Sequence, residues 1–204
     1  MARIIKLAGK SAERFGYKRA ARKAPPRKRD DARGQLGLFD SQIRIIPLPN
    51  SLSYFEAALL AHENDDPTAA TRYREAIAHG DCTADAWCNL GILESHSGKL
   101  KEALNCFSQA LQDDSALFEA HYNLGNLHLE LGNTEPAKLH YEVARSLDPS
   151  YPNLYFNLGL VLALADDVEG AIEALRVYLD LASADDTQKV NELLRRLVET
   201  KQAR

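Results

Sequence analysis

Hydrophobic residues between positions 50 and 185 recur at helical spacing, in stretches of about 14 residues separated by short polar breaks. Within each stretch, large and small apolar residues alternate along one side of the predicted helix, which lets neighbouring helices interlock. Two such helices form a unit, and equivalent residues of successive units stand 34 positions apart, as Ala69 and Ala103 do. This pattern predicts an all-α solenoid of stacked helix pairs.

Several residue types return at the same step. The tripeptide Asn-Leu-Gly occupies 89–91, 123–125 and 157–159. The other repeated positions hold alanine, then a large residue, then a second alanine: Ala69, Ala103, Ala137 and Ala171; Tyr73, Phe107, Tyr141 and Leu175; Ala76, Ala110 and Ala144. Such self-similarity is typical of a repeat protein, in which each unit buries its apolar face against its neighbours.

The predicted turns and the predicted end of the array have their own signals. Residues that tolerate a left-handed backbone stand where each first helix should end: Asn64, Gly98, Gly132 and the less favourable Asp166. After the last pair, Asp185 and Asp186 can cap a final helix. Its apolar residues form one stripe, consisting of Val190, Leu193, Leu194, Leu197 and Val198. A helix of this kind is expected to cover the open end of a stacked array.

These residues resemble the tetratricopeptide repeat, whose pattern is a large aromatic residue, Leu-Gly, Ala, an aromatic residue and Ala. In the fourth unit Tyr178 replaces the last small residue, which should open the packing there. The resemblance implies a right-handed superhelical solenoid of antiparallel helix pairs over residues 50–204. Its repeats are expected at about 50–83, 84–117, 118–151 and 152–185, with a capping helix at about 186–202, and residues 1–49 form a separate arm and linker.

The first helices of such repeats line a concave face, and faces of this kind usually bind an extended peptide or a partner helix. The spacing of the repeated asparagines is similar to that in the O-linked N-acetylglucosamine transferase repeats, where an asparagine ladder grips a peptide backbone. The resemblance implies a peptide-binding groove that includes Asn89, Asn123 and Asn157. Specificity must then come from their neighbours, and the candidates are Tyr122, Asn126, Phe156 and Leu160, which suggests a ligand with apolar side chains.

A second interpretation gives these asparagines only the task of bracing the adjoining turn. The ladder predicts that Asn123→Ala and Asn157→Ala together weaken partner binding and leave the melting temperature nearly unchanged. The bracing role predicts a large loss of stability. Gripping of a terminal carboxylate by inward Lys and Arg is disfavoured, because the first helices carry Asp85, Glu119 and Glu130.

The formal net charge of −4 conceals a basic arm on an acidic body. Residues 1–34 hold 12 of the 25 Lys and Arg and only three acids, for a net charge of +9, and the remainder carries −13. The arm is expected to be mostly disordered. Its basic residues can bind nucleic acid weakly through counterion release, or they can contact the acidic body of the same chain; they include Arg19, Arg22, Lys23, Arg27, Lys28 and Arg29.

Immediately after the arm, Gln35, Leu36, Leu38 and Phe39 resemble the peptide that docks bacterial replication and repair proteins on the sliding clamp. Such a peptide needs a flexible setting and apolar plugs, and this segment has both. The alternative interpretation is local packing of these residues along the first repeat or in its groove. Local packing is the favoured prediction.

The sequence contains no motif that predicts catalysis, a bound cofactor or a metal. Gly9-Lys10-Ser11 lacks the earlier glycine and the strand of a phosphate-binding loop. His121 and His128 lie seven positions apart on one predicted helix face, but no carboxylate or cysteine completes a metal set. The three cysteines form no CxxC pair and are expected to be buried small residues of a reducing cytosol. No stretch is long and apolar enough for a bilayer span, so a cytoplasmic protein without a membrane partner is predicted.

The leading functional prediction is therefore a non-enzymatic adaptor that binds a protein or peptide in its concave face. Two alternatives stay open at this point. One is an accessory protein of DNA replication or repair, tethered by the basic arm and the clamp-like peptide. The other is a regulatory repeat module for a separate enzyme, such as a glycosyltransferase.

Overall fold

A computed structural model of the protein describes residues 52–182 and 187–202. These residues form antiparallel helix pairs that stack in chain order, followed by one further helix. The helices are α1 (Tyr54–Glu63), α2 (Ala69–Ala78), α3 (Thr83–His96), α4 (Leu100–Asp113), α5 (Phe118–Glu130), α6 (Thr134–Leu147), α7 (Pro152–Leu164), α8 (Val168–Leu181) and α9 (Thr187–Gln202). The predicted all-α solenoid is confirmed. The arm and linker predicted for residues 1–49 lie outside the described part of the chain.

The first helix begins with a capping box, which fixes its start. Ser53 Oγ accepts a hydrogen bond from the Glu56 backbone N–H at 3.2 Å, and the Glu56 carboxylate accepts one from the Ser53 N–H at 2.9 Å. Backbone N–H groups that a helix start leaves without intrahelical partners are thereby satisfied.

The turns within the pairs follow the sequence prediction in three units. Gly98, Gly132 and Asp166 adopt positive φ angles of 76°, 77° and 65°. In the first unit the prediction of Asn64 was wrong, because Asp65 adopts the left-handed conformation, with φ 52°. The Asn64 side chain instead donates a hydrogen bond to the Leu60 carbonyl. The left-handed residue of the first turn, Asp65, therefore stands 33 residues before Gly98, whereas the left-handed residues of the later turns are 34 residues apart.

The repeated glycine of Asn-Leu-Gly has a packing reason. A Cβ atom on Gly91 or Gly159 would lie 2.7 Å from the nearest side-chain atom of the second helix of the same unit, and one on Gly125 would lie closer still. Those neighbours are the buried large residues of the repeat, namely Phe107, Leu175 and Tyr141. The absence of a side chain lets the two helices of a pair approach closely, which explains why glycine and the large residue repeat together.

The core is a series of clusters, each of which joins one helix pair to the next, so the interior runs along the solenoid. The last cluster joins α7 and α8 to α9 through Tyr155, Leu175, Tyr178, Val190 and Leu193. The expectation that Tyr178 opens the packing was wrong. Its ring is 6% exposed and lies against Phe156 and this cluster, so the large side chain fills the junction with the capping helix.

A buried carboxylate ties the first two units together. Glu94 on α3 is 4% exposed and forms ion pairs with Arg74 on α2 and with Lys99, 3.0 Å away, at the start of α4. Buried carboxylates are stable only when they are paired and hydrogen-bonded. The two cations are more than half exposed, so they satisfy Glu94 while keeping contact with water.

Candidate functional site

The first helices of successive pairs form one continuous wall, since α3 contacts α5 and α5 contacts α7. Direct contact between consecutive first helices places them on the inner side of the curved array. Residues at i, i+4, i+7 and i+11 share one side of a helix. We call the following set the inner face: Asp85, Asn89, Ile92 and His96 on α3; Glu119, Asn123, Asn126 and Glu130 on α5; and Asn153, Asn157, Leu160 and Leu164 on α7.

The three repeated asparagines occupy equivalent places on this face, but they make different contacts. All are nearly inaccessible, at 3%, 3% and 1% exposure for Asn89, Asn123 and Asn157. Asn123 Nδ2 donates to the Glu119 carbonyl of its own helix at 2.8 Å. Asn157 reaches across to α5, whereas Asn89 Nδ2 is buried and finds no hydrogen-bond acceptor among the described residues.

Asn157 belongs to a buried polar network that joins three helices. Its Nδ2 donates to the Tyr122 hydroxyl at 3.0 Å and to Asn126 Oδ1 at 2.8 Å. The Tyr141 hydroxyl of α6 donates to the same Asn126 oxygen at 2.7 Å. Burial raises the pKa of Tyr122 and of Tyr141 above the ordinary range, so both hydroxyls stay protonated. This network aligns α5, α6 and α7.

The apolar members of the sequence-predicted groove lie near the end of the array. Phe156 and Leu160 are half-buried and pack against the cluster formed with α9, and the Phe156 ring centroid lies 5.6 Å from that of Tyr178. Tyr122 is fully buried. The structure thus brings all seven predicted groove residues to the first helices, while most of their surface is already in contact with protein. Their role in binding stays a proposal.

Two acidic residues of the inner face, Asp85 on α3 and Glu119 on α5, were not among the predicted site residues. We call this pair the acidic rim. Asp85 and Glu119 each stand four residues before a repeated asparagine, and Glu119 is 9% exposed. Burial raises the pKa of the Asp85 carboxyl, and the negative charges of Glu119 and Asp114 raise it further. The signal was present in the sequence as an acid one turn before Asn89 and Asn123. A cation at this rim would relieve the repulsion.

The structure places a third histidine between the two that the sequence singled out. His140 Nδ1 lies 3.1 Å from His121 Nδ1, and its ring stacks on His128 with centroids 5.7 Å apart. Within residues 52–182 and 187–202, no group of three or more histidines, cysteines or acids is arranged to hold a metal ion. The three histidines pack against one another along the seam between α5 and α6.

The histidines of this seam lead us to expect that the folded protein loses stability in acid. Burial, with help from His121 and His128, lowers the pKa of His140 to about 4. An unfolded histidine titrates at about 6.5. Between these values the unfolded chain binds more protons than the folded chain, so stability should fall as the pH drops from about 6.5 to about 4. His140→Gln is expected to reduce the fall in melting temperature over this window, measured by thermal circular dichroism.

The matched control is His79→Gln, because His79 is exposed at the end of α2. This variant should keep the pH dependence of the wild-type chain. A His140→Gln chain that loses stability with acid as steeply as the wild type would contradict the assignment of this window to the seam.

The cysteine prediction holds for two residues. Cys88 and Cys106 are buried at 2% and 5% exposure, and burial raises the pKa of both thiols, that of Cys106 to about 11. Their thiols are therefore protonated and unreactive at neutral pH. Cys82 is half-buried and precedes α3 with a positive φ of 50°.

The predictions for the arm fall outside the described residues. They comprise the possible clamp peptide, at Gln35, Leu36, Leu38 and Phe39, and the possible nucleic-acid residues, at Arg19, Arg22, Lys23, Arg27, Lys28 and Arg29. Nucleic-acid binding and clamp docking therefore stay predictions. None of the helices in the described ranges is both long and apolar enough to cross a bilayer.

Two family descriptions match the central part of the chain. "TPR repeat" matches residues 96–132, and "Tetratricopeptide repeat" matches residues 122–186. The helix pairs in this region thus match descriptions of the tetratricopeptide repeat. Together with the interlocking glycines, these matches support the repeat type that the sequence resembles. The finer resemblance to the O-linked N-acetylglucosamine transferase repeats stays a prediction.

Curated relatives share part of the sequence of this chain. BBSome complex member BBS4 of Xenopus tropicalis is 29% identical over 125 residues, which are 61% of this chain and 24% of the relative. Tetratricopeptide repeat protein 8 of Homo sapiens is 29% identical over 113 residues, which are 55% of this chain and 21% of the relative. The chain thus spans less than a quarter of the length of these relatives.

Solved structures show the same fold at low sequence identity. The MamA RS-1 ArsTM double mutant superimposes with a TM-score of 0.64 at 20% identity, covering 73% of this chain and 83% of that one. The first TPR of Spaghetti (RPAP3), bound to the HSP90 peptide SRMEEVD, gives a TM-score of 0.54 at 19% identity, covering 58% and 93%. In that second protein the fold holds a peptide.

Proposed function

We propose that this protein is a non-catalytic adaptor that holds an extended segment of another protein along its inner face. The observation that carries the proposal is the unbroken wall of α3, α5 and α7, whose side chains stand in register from one helix to the next. An extended chain crossing the three helices meets an asparagine at each step, while the other residues of the inner face change from helix to helix. This is the usual way in which stacked helical repeats bind peptides.

The asparagine row supports binding through the peptide backbone. An amide side chain offers both a donor and an acceptor, so it can hold a peptide unit without reading its side chain. Asn89 Nδ2 is a buried donor without an acceptor in the described structure, so a rotation of this side chain toward the groove would let a ligand carbonyl satisfy it. A buried donor left unpaired costs about 1 to 3 kcal/mol, which a ligand can recover.

The charges of the inner face limit which peptides fit. Asp85, Glu119 and Glu130 lie on α3 and α5, so an acidic segment would be repelled. The peptide bound by the RPAP3 repeats contains Glu-Glu-Val-Asp. This face is expected to reject such a sequence and to prefer a neutral or basic extended segment, with apolar residues toward α7.

A pair of exposed leucines provides a direct test. Leu164 on α7 belongs to the inner face and is 61% exposed, and Leu139 lies on the second helix α6 and is 63% exposed. Peptides are selected from a random library on the immobilised full chain, and their dissociation constants are then measured by calorimetry. Leu164→Asp is expected to weaken binding about tenfold or more through lost apolar contact, whereas Leu139→Asp should leave it unchanged.

The proposal fails if the selection returns no peptide that binds the full chain. It also fails if Leu139→Asp weakens the selected peptides as much as Leu164→Asp does, because binding would then not depend on the inner face. Far-ultraviolet circular dichroism of both variants confirms that the helices remain.

A further inference from the structure

The inner face joins two features that define the chemistry of its occupant. The first is the acidic rim, where Asp85 and Glu119 stand on neighbouring helices and Asp114 adds to the field at Asp85. Burial, and after it the charges of Glu119 and Asp114, make the ionised form of the Asp85 carboxyl less favourable, so a positive group placed there gains electrostatic energy.

The second feature is a buried donor one helical turn from the rim. Asn89 lies four residues after Asp85 on α3, is 3% exposed, and its Nδ2 has no acceptor among the described residues. A buried amide donor calls for an oxygen acceptor such as a backbone carbonyl. An extended basic peptide carries both groups: a cationic side chain that can contact Asp85 and a backbone carbonyl that can accept from Asn89, one helical turn away on α3.

The chain itself contains a segment with this chemistry. Residues 17–34, YKRAARKAPPRKRDDARG, are rich in Lys and Arg, and their two prolines favour an extended backbone. Residues 1–34 carry +9, and residues 35–204 carry −13. The charge complementarity is therefore between two parts of one molecule.

The connection is long enough to bring the segment to the rim. Seventeen residues, 35–51, separate this segment from the described part of the chain. A random coil of this length would span about 20 to 25 Å on average. Two steps between neighbouring first helices, from α1 to α3 and from α3 to α5, amount to about 20 Å at the usual interhelical spacing. The average reach thus matches the required span, the condition under which effective concentration is highest.

We propose that residues 17–34 bind along the inner face of their own chain, with Lys and Arg at Asp85 and Glu119 and a backbone carbonyl at Asn89. This inference rests on the proposed peptide-binding function and names a ligand for it. The bound segment competes with external peptides, so the protein regulates access to its own groove. A partner must therefore displace residues 17–34 from the inner face. High salt weakens the binding of residues 17–34, because it screens the attraction between opposite charges.

The test compares two full-length chains with the same probe. The probe is a fluorescein-labelled synthetic peptide of residues 17–34, and binding is followed by fluorescence anisotropy at low salt. In the arm-neutral chain Arg19, Arg22, Lys23, Arg27, Lys28 and Arg29 are all replaced by Gln. A tethered competitor acts at about millimolar effective concentration, so the arm-neutral chain should bind the probe about tenfold more tightly than the wild type.

The tighter binding of the probe by the arm-neutral chain should depend on the acidic rim. Adding Asp85→Asn and Asn89→Ala to the arm-neutral chain is expected to abolish the tighter binding. Asp180→Asn, which neutralises an exposed acid on the second helix α8, should leave it intact. Equal affinity of the wild-type and arm-neutral chains for the probe would overturn the proposal, as would tight binding that survives the Asp85 and Asn89 substitutions.

A crosslinking experiment identifies whose groove the arm occupies. Carbodiimide joins lysines to carboxylates in an equal mixture of ¹⁴N-labelled and ¹⁵N-labelled wild-type chains. Crosslinks between the arm and Asp85 or Glu119 should lie within one isotope label. Crosslinks of mixed label would assign the site to a second copy and overturn the intramolecular proposal.

Other outcomes separate this inference from the function on which it rests. Suppose that library peptides bind the arm-neutral chain and lose affinity with Leu164→Asp, but the probe does not bind. The groove then functions, and only the identity of its internal ligand is wrong. Retention of the wild-type chain on DNA filters without probe binding to either chain would assign the arm to nucleic acid and likewise overturn the proposal.

Discussion

Gly125→Ala is expected to lower the free energy of unfolding by about 3 kcal/mol, because the new methyl group has no room between α5 and α6. Its Cβ atom would overlap Tyr141 Cε1, at a separation that real Cβ contacts do not show. Tyr141 is fully buried and its hydroxyl donates to Asn126, so the ring cannot move aside without breaking that hydrogen bond. Alanine regains only about 1 kcal/mol of helix propensity.

The measurement is urea or thermal unfolding followed by circular dichroism, with an expected decrease in melting temperature of roughly 10 °C. Gly132→Ala makes the same chemical change at a turn where a Cβ meets nothing within 4 Å, and φ is 77°. Its cost is limited to backbone strain of about 1 to 2 kcal/mol. Equal losses in the two variants would show that the close approach of α5 and α6 does not limit stability.

Asn157→Ala is expected to destabilise the fold by about 2 to 3 kcal/mol. Its amide donates hydrogen bonds to the Tyr122 hydroxyl and to Asn126 Oδ1 inside the protein, and alanine can replace neither. Both acceptors lie on α5, so the loss weakens the junction of two repeats. In a stacked array this lowers the coupling between neighbours and spreads unfolding to the C-terminal units.

Asn105→Ala is the control, because Asn105 is exposed on α4 and an exposed substitution usually changes stability by less than about 0.5 kcal/mol. Chemical denaturation of the two variants side by side gives the difference. A loss for Asn157→Ala no greater than that for Asn105→Ala would mean that the network contributes little and that Asn157 is available to a ligand.

The asparagine row makes different contacts along the array, although the sequence offers bracing and ligand binding as alternatives for all three residues. Asn157 braces the junction between repeats, whereas Asn89 has a buried donor without an acceptor among the described residues, and its part in ligand binding stays a proposal. Identical residues at identical places in the repeat can differ in this way because their neighbours differ. Asn126 stands opposite Asn157, 31 residues before it, whereas the residue 31 positions before Asn89 is the apolar Ala58.

The repeat length, the helical pairing and the position of most turns could be predicted without coordinates. These features follow from local periodicity and from residues such as Gly98 and Gly132, whose backbone preference needs no partner. The division into a basic arm and an acidic body was equally predictable, since charge is a property of composition. The same reasoning misplaced the first turn at Asn64, because one register shift between units is invisible to a fixed step of 34 residues.

The satisfaction of individual polar groups, by contrast, depends on how the helices pack in three dimensions. The network around Asn157, the insertion of His140 between two other histidines, and the burial of Tyr178 against α9 all require contacts between different helices. Such contacts are set by crossing angles and side-chain rotamers, which no pattern along the chain specifies. The acids of the rim are visible in the sequence, but their relation to an unpaired buried amide emerges only when α3 and α5 lie side by side.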